Sequence, residues 1–144
     1  MSKITSVIPT YNNLPFLKLT VQSIRQNCYK DMPIVIFAEN CTDGTNNWLD
    51  ANYRKLGIEY YIENHVDRED QRGIGGGIDY CVSKVKTEFV NILHSDFWVA
   101  PNQDIELLKL YDDIEPGERL IASSFRVQPN IFPNDPPYRP GTVF

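Results

Sequence analysis

The sequence predicts an α/β fold with a mostly parallel sheet, and three observations support this prediction. Short β-branched, apolar runs recur along the chain, amphipathic stretches of helical spacing separate them, and 42% of the residues are hydrophobic. Strands that alternate with helices at this spacing are typical of βαβ units, whose right-handed crossovers cover both faces of a sheet. A length of 144 residues suits one domain. We therefore expect a single three-layer α/β/α domain.

The first βαβ unit is predicted at the start of the chain. The segment Lys3–Ile8 is short, β-branched and apolar and stops at Pro9, which favours a buried parallel strand over a helix. Apolar side chains then recur at helical spacing and predict a helix over 14–27, with Pro15 tolerated in its first turn. Residues 33–38 repeat the strand pattern and complete the unit.

The same alternation continues along the rest of the chain. Thr42 or Asp43 can cap a second helix, which Gly57 ends. Further strands are predicted over 57–62, 88–93 and 119–127, and further helices over 74–85 and 103–111. Residues 128–144 hold five of the ten prolines and show no helical period, so we expect an extended tail there. The predicted domain therefore covers residues 1–127.

The charge and hydropathy of the chain argue against several classes of partner. A net charge of -5 disfavours a broad surface for nucleic acid or an anionic membrane, because both require clustered Lys and Arg. No apolar run approaches the roughly 18 residues that a transmembrane helix needs, and the N-terminus lacks the apolar core of a signal peptide. The sequence predicts a cytoplasmic protein that binds any anionic ligand through a few local contacts and not through a broad basic surface.

Polar residues follow three of the predicted strands. The segments are Pro9–Asn12, Glu39–Asp43 and His94–Phe97. In open parallel sheets ligands bind outside the carboxyl ends of the strands, so these segments are the candidates for a ligand site.

Four motifs in order resemble those of family-two glycosyltransferases. Ser6–Asn12, which reads Ser-Val-Ile-Pro-Thr-Tyr-Asn, resembles the first strand and donor loop of that family, and Glu39–Thr45 is similar to its acidic segment after the second strand. Gln71–Asp79 stands in the place of the family's Asn-x-Gly…Ala-Arg-Asn segment, and His94–Phe97 in the place of its Asp-x-Asp motif. The resemblance covers residues 3–105 and implies a GT-A fold that contains the donor-binding half.

The resemblance implies a site for a nucleotide-diphosphate sugar. Glu39 can accept a hydrogen bond from the imide N–H of a uracil, which favours a UDP-sugar. Thr10 and Tyr11 can contact the base or ribose, although Tyr11 could equally pack against the sheet edge, and Arg72 can supply positive charge to a phosphate. The implied donor-binding residues are Pro9, Thr10, Tyr11, Asn12, Glu39, Arg72, Gly73, Asp79, Ser95 and Asp96.

The resemblance also implies a divalent metal. Asp96 is the expected ligand, because a hard cation that bridges the diphosphate neutralises charge on the leaving group. His94 stands where the family carries its first acidic residue. Imidazole suits transition metals, so we expect Mn²⁺ in preference to Mg²⁺ if His94 is a ligand. The alternative is that His94 is a hydrogen-bonded wall residue.

The implied reaction is inverting glycosyl transfer to an unknown acceptor. No general base can be assigned, because the family's base lies well beyond the metal motif. The alternative is a catalytically incomplete nucleotide-sugar-binding or regulatory module, truncated at the acceptor side, that lacks the acceptor site and the base. A nucleotidyltransferase is a weaker hypothesis, since no Gly-rich loop bearing Arg or Lys follows the first strand.

The apolar residues near the C-terminus have two interpretations. They can strap an uncovered edge of the sheet or bury against a second copy, which would make the protein a homodimer. These residues are Ile131, Phe132, Tyr138, Val143 and Phe144.

Overall fold

The computed structural model describes residues 2–112, which contain a four-stranded parallel sheet of order β3-β2-β1-β4. The strands are β1 (Ile4–Thr10), β2 (Ile34–Glu39), β3 (Ile58–Glu63) and β4 (Phe89–Ile92). The helices are α1 (Leu14–Asn27), α2 (Thr45–Leu56), α3 (Gly73–Val82) and α4 (Gln103–Lys109), and a 3₁₀ turn at Arg68–Asp70 precedes α3. The predicted α/β class with a parallel sheet is confirmed.

The strand order sets the position of the helices. The chain steps from β1 to β2 to β3 in one direction and then returns past β1 to β4. Because βαβ crossovers are right-handed, this reversal puts α3 on the face opposite α1 and α2. The reversal also creates a topological switch point between β1 and β4, where open parallel sheets bind their ligands.

Both faces of the central strands are buried, as parallel strands covered by helices require. On the α3 face, Val7, Val35, Phe37 and Cys81 form a buried cluster. At Gly77 the helix comes so close to the sheet that an added Cβ would lie 3.0 Å from Phe37 and 3.2 Å from Pro9. This glycine therefore permits the close packing of α3 on β1 and β2.

The first strand is longer than predicted, because it continues through Pro9 to Thr10. Val7 O accepts a hydrogen bond from Leu93 N, so the odd-numbered residues of β1 direct their backbone groups towards β4. Pairing with β4 covers only Ile4 to Val7. The missing N–H of Pro9 therefore falls where the neighbouring strand has ended, and a proline is tolerated there.

The remaining boundaries differ from the prediction by a few residues. The third helix ends at Val82 rather than at 85, and the fourth ends at Lys109 rather than at 111. Residues up to Glu106 form one compact unit, and a second unit begins at Leu107. The predicted strand over 119–127 and the predicted tail over 128–144, with its strap or dimer residues, lie outside the described residues. No helix within residues 2–112 is long and apolar enough to cross a membrane.

Candidate functional site

A cavity of about 400 Å³ opens at the carboxyl ends of β1 and β2, beside the segment that follows β4. It is lined by Pro9, Thr10, Tyr11, Asn13, Phe37, Glu39, Asn40, Gln71, Gly73, Ile74, His94, Ser95 and Asp96. All three strand-end segments singled out in the sequence contribute to this wall. Of the predicted site residues, Asn12, Arg72 and Asp79 lie outside the lining.

Thr10 brings a buried, unpaired hydroxyl group to the cavity. Its side chain is only 6% exposed, and Oγ1 has no hydrogen-bond partner among residues 2–112. Leaving a buried hydroxyl unpaired costs about 1–3 kcal/mol. A ligand that hydrogen-bonds Oγ1 would recover this cost.

Two apolar side chains lie exposed at the cavity. Tyr11 is 66% exposed and Ile74, in the first turn of α3, is 63% exposed. The exposure of the Tyr11 ring is inconsistent with the alternative that it is packed against the sheet edge. A flat ring and an aliphatic side chain offer apolar contact to a planar ligand such as a nucleobase.

The Glu39 carboxylate is occupied by the backbone of α3. Glu39 is buried, its Oε1 accepts a hydrogen bond from Arg72 N at 2.6 Å, and its Oε2 accepts one from Gly73 N at 3.0 Å. A carboxylate is favoured at a helix N-terminus, because the unpaired N–H groups and the helix dipole give that end a partial positive charge. The structure thus adds a structural role to the residue that was predicted to read a uracil.

The guanidinium of Arg72 is engaged outside the cavity lining. Its Nε donates to Glu63 Oε2 at 2.7 Å and its Nη2 to Glu63 Oε1 at 3.0 Å, while the group lies 4.8 Å from the Tyr80 ring centroid. The hydrogen bonds from Arg72 lower the pKa of Glu63, against an opposing contribution from burial. The predicted contact between Arg72 and a phosphate would require this ion pair to open.

Glu39, Glu63, His65 and Arg72 form one cluster, which we call the α3 anchor. His65 Nε2 lies 3.1 Å from Glu63 Oε2 and 3.6 Å from Glu39 Oε1. One ligand atom from each of Glu39, Glu63 and His65 falls within 4.8 Å of the others, a grouping that could hold a metal. The Arg72 guanidinium offsets the charge of Glu63, and backbone N–H groups bind Glu39, so contacts within the chain already engage both carboxylates.

Asn12 and Asp43 hold the loops around the cavity together. Asn12 has a left-handed backbone conformation (φ 46°), and its Oδ1 accepts a hydrogen bond from Thr42 N at 2.7 Å. Asp43 accepts hydrogen bonds from Leu14 N at 2.8 Å and Thr45 N at 3.1 Å. Burial would raise the pKa of Asp43, but a hydrogen bond from Thr45 Oγ1 at 2.7 Å, together with those from the two backbone N–H groups, outweighs it and lowers the pKa. Asn12 therefore holds the loop after β1 to the loop after β2 from outside the cavity lining.

The segment after β4 has a fixed backbone and two exposed polar side chains. Ser95 is buried, its Oγ accepts a hydrogen bond from Asn13 Nδ2 at 2.9 Å, and its backbone O accepts one from Thr20 Oγ1 at 3.0 Å. His94 and Asp96 on either side are exposed and line the cavity. The Asp96 carboxylate has no hydrogen-bond or ion-pair partner within residues 2–112. A carboxylate oxygen and an imidazole nitrogen on one wall fit a transition-metal dication.

Asp79 lies on the exposed side of α3 and does not line the cavity. The sequence did not single out six residues of the site individually, namely Asn13, Phe37, Asn40, Gln71, Ile74 and Glu63, although Asn40 lies in the predicted segment Glu39–Asp43 and Gln71 and Ile74 lie in the motif Gln71–Asp79. One signal for Glu63 was available, because Glu39 and Glu63 end consecutive strands and pair in register. Two carboxylates at one edge of a sheet require a compensating group, and Arg72 supplies it.

Comparisons with known proteins show which family model and which relatives this chain matches. A model of the family described as glycosyl transferase family 2 matches residues 5–139. A GalNAc(5)-diNAcBac-PP-undecaprenol beta-1,3-glucosyltransferase of Campylobacter jejuni is 26% identical over 98 residues, which cover 67% of this chain and 30% of that protein. The chain therefore spans less than a third of the length of this relative.

Two solved structures share the fold. S. aureus TarS 1-349 in complex with UDP-GlcNAc has a TM-score of 0.63 at 17% identity, over 78% of this chain and 32% of that one. The mannosyltransferase PcManGT from Pyrobaculum calidifontis, in complex with GDP-Man and Mn²⁺, has a TM-score of 0.64 at 20% identity, over 77% and 32%. Since the family model matches nearly the whole chain and the neighbours share its GT-A architecture, the chain belongs to glycosyl transferase family 2.

Proposed function

We propose that this domain binds a nucleotide-diphosphate sugar, with a UDP-sugar preferred, together with a divalent metal. The bound sugar would be the donor for inverting glycosyl transfer to an acceptor. The observation that carries the proposal is the cavity at the strand ends, whose lining includes both the Thr10 hydroxyl and the Asp96 carboxylate, two groups without a partner in the described part of the chain. Neither group has a partner within residues 2–112, as is typical of groups that bind a ligand.

The nucleoside end of the donor is assigned to the side of the cavity formed by β1 and α3. The exposed Tyr11 ring and Ile74 side chain provide apolar contacts for a base, and the Thr10 hydroxyl provides a buried hydrogen-bonding group. The solved neighbours were captured with UDP-GlcNAc and with GDP-Man, which supports a nucleotide-sugar ligand here without deciding the base.

The diphosphate end is assigned to the segment after β4. Asp96, with His94 beside it, would hold the metal, and Mn²⁺ is favoured because imidazole prefers transition metals to Mg²⁺. When bound, such a cation acts as a Lewis acid and stabilises the departing diphosphate. Mn²⁺ in the PcManGT complex supports this choice. The backbone held by Ser95 and Asn13 keeps both side chains at the cavity.

Calorimetry with the purified chain tests the proposal. UDP, GDP and UDP-sugars are titrated with and without Mn²⁺, and the best ligand is repeated with Asp96→Ala. We expect Mn²⁺ to tighten UDP binding by at least about tenfold and Asp96→Ala to remove that gain. Glu88→Ala is the matched control, because Glu88 is an exposed acidic residue just before the other end of β4. Absence of nucleotide binding under every condition would refute the proposal.

A turnover assay separates the enzyme from the binding module. Release of UDP from a UDP-sugar, with water or a panel of sugar acceptors, measures donor activation directly. Inverting transfer also needs a base for the acceptor hydroxyl, and no residue within 2–112 is assigned that role. Binding with turnover supports the transferase, whereas metal-dependent binding without any turnover supports a donor-binding module.

A further inference from the structure

We propose that Thr20 and Ser23 are positioning residues for the segment after β4, which brings His94 and Asp96 to the cavity. Both hydroxyls belong to α1, are fully buried and lie outside the cavity lining, so they can act on a ligand only through this segment. The contacts that hold the segment lie within the protein. Their consequence for metal binding rests on the proposed function.

A stripe of polar side chains runs along one face of α1 and binds this segment. Its members are three, four or seven residues apart, which places them on the same side of a helix, and they are Asn13, Thr20, Ser23 and Asn27. At one end of the stripe, Asn13 Nδ2 donates to Ser95 Oγ at 2.9 Å. At the other end, Asn27 Nδ2 donates to Val99 O at 2.6 Å.

The two buried hydroxyls at the centre of the stripe hold the backbone of the same segment. Ser and Thr favour caps and turns over helix interiors, and a buried hydroxyl is costly unless it is hydrogen-bonded. Thr20 Oγ1 donates to Ser95 O at 3.0 Å, and Ser23 Oγ accepts a hydrogen bond from Val99 N at 2.9 Å. Because β4 ends at Ile92, these contacts with α1 hold the chain beyond the strand.

The hydrogen bond from Thr20 bears on the orientation of Asp96. Ser95 O and the backbone N and Cα atoms of Asp96 belong to one planar peptide unit, so a donor that holds this oxygen also holds the backbone from which the Asp96 side chain extends. On the other side of Ser95, the His94 ring packs against Phe97 at a centroid distance of 5.2 Å. The two predicted metal ligands therefore flank a residue that α1 binds.

Nuclear magnetic resonance of the chain without nucleotide or metal tests these contacts. In Ser23→Ala the Val99 N–H loses its acceptor, so its exchange with solvent should accelerate by about tenfold. In Thr20→Val the Ser95 carbonyl loses its donor, so the amide resonance of Asp96, which lies in the same peptide unit, should shift. Either variant keeps the test available if the other folds poorly. Unchanged signals would overturn the proposal.

Two variants control for a general loss of stability. Thr5→Val removes a buried hydroxyl that is hydrogen-bonded to Thr87, so it matches Thr20→Val in chemistry. Thr5 lies near the opposite end of β1 from the cavity. Thr20→Ser keeps a hydroxyl that can donate to Ser95 O. Both variants should leave exchange at Val99 and the resonance of Asp96 close to those of the unaltered chain.

Metal-dependent binding then separates positioning from a merely structural role. Calorimetry gives the factor by which Mn²⁺ tightens UDP binding, and Thr20→Val should reduce that factor by roughly three- to tenfold. UDP affinity without metal should change less than about twofold, because the nucleoside end is assigned to the side formed by β1 and α3. Thr5→Val and Thr20→Ser should keep the Mn²⁺ factor of the unaltered chain.

An unchanged Mn²⁺ factor in Thr20→Val would overturn the proposal, even if the variant binds UDP more weakly with and without the metal. If the unaltered chain shows no Mn²⁺-dependent UDP binding, it is the proposed function that fails. In that case the resonance experiment still decides whether the two hydroxyls hold the segment after β4.

Discussion

The two sides of the cavity differ in how their polar groups are satisfied. On the α3 side, the Glu39, Glu63 and Arg72 side chains are bonded to one another or to backbone, so the protein itself completes their contacts. On the side of β1 and β4, Thr10 Oγ1 and the Asp96 carboxylate have no partner within residues 2–112. This difference indicates that the α3 side forms a rigid wall of the cavity, whereas the side of β1 and β4 provides polar groups that can bind a ligand.

The largest expected effect is on the packing that places the α3 side. Gly77→Ala should force its Cβ against Phe37 and Pro9, whereas Gly75→Ala, two residues earlier in the same helix, meets nothing within 4 Å. Both changes gain the same helix propensity of about 1 kcal/mol, so the difference between them isolates the packing term. We expect Gly77→Ala to be less stable than Gly75→Ala by about 1–3 kcal/mol in urea unfolding.

Equal stability of the two glycine variants would mean that α3 can move away from the sheet without cost. In that case the α3 side would not be rigid, and the contrast between the two sides would be lost. UDP binding measured on the same variants adds a second reading, because a displaced α3 should weaken binding in Gly77→Ala and leave it intact in Gly75→Ala.

The next effect concerns the metal preference of the open side. His94→Asp restores the acidic residue that the family carries at this position and provides a second hard oxygen ligand. We expect the ratio of Mg²⁺-supported to Mn²⁺-supported UDP binding to rise by about tenfold, since carboxylates suit Mg²⁺ and imidazole suits transition metals. His94→Gln is the comparison variant, in which a neutral side chain should weaken both metals. An unchanged ratio in His94→Asp would show that His94 is a wall residue.

A smaller effect distinguishes two buried threonines of the same strand. Thr10 Oγ1 is unpaired, whereas Thr5 Oγ1 lies 2.6 Å from Thr87 Oγ1 in a hydrogen bond. Thr10→Val should therefore stabilise the ligand-free protein by about 1 kcal/mol while weakening UDP binding, and Thr5→Val should destabilise it by a similar amount. Thermal unfolding measures the change in stability of each variant, and calorimetry measures its affinity for UDP. If Thr10→Val is destabilising, the Thr10 hydroxyl is not waiting for a ligand.

The fold could be predicted well because its signals are local. Apolar runs and helical periods located four strands and four helices of the described chain, and βαβ alternation alone implied the parallel sheet. The predicted strand end at Pro9 was wrong, because a proline usually ends a strand. Proline is tolerated at this position only because β4 pairs with a shorter part of β1. That pairing joins residues more than 80 positions apart.

The site could be predicted only in part, because its contacts are long-range. Strand-end position identified Thr10, Glu39 and Asp96 as cavity residues. The partner of Arg72 was missed, since a charged run next to a glycine-rich helix start does not indicate which carboxylate will bind it. Ile74 was missed because an apolar residue on an amphipathic helix is expected in the core, whereas here it faces the cavity.

The smallest expected effect is a pH dependence of the α3 anchor. Hydrogen bonds from Arg72 lower the pKa of Glu63 from its ordinary value of 4.5, so the ion pair stabilises the fold above that value and is lost as pH falls through the lowered one. Between pH 6 and pH 3, exchange at the Arg72 amide, corrected for its intrinsic rate, should accelerate about two- to fivefold more in the unaltered chain than in Glu63→Gln. Added salt should reduce this difference, because the Arg72 side chain is 42% exposed and the pair is screened. Identical pH profiles in the two proteins would show that Glu39 alone holds the start of α3.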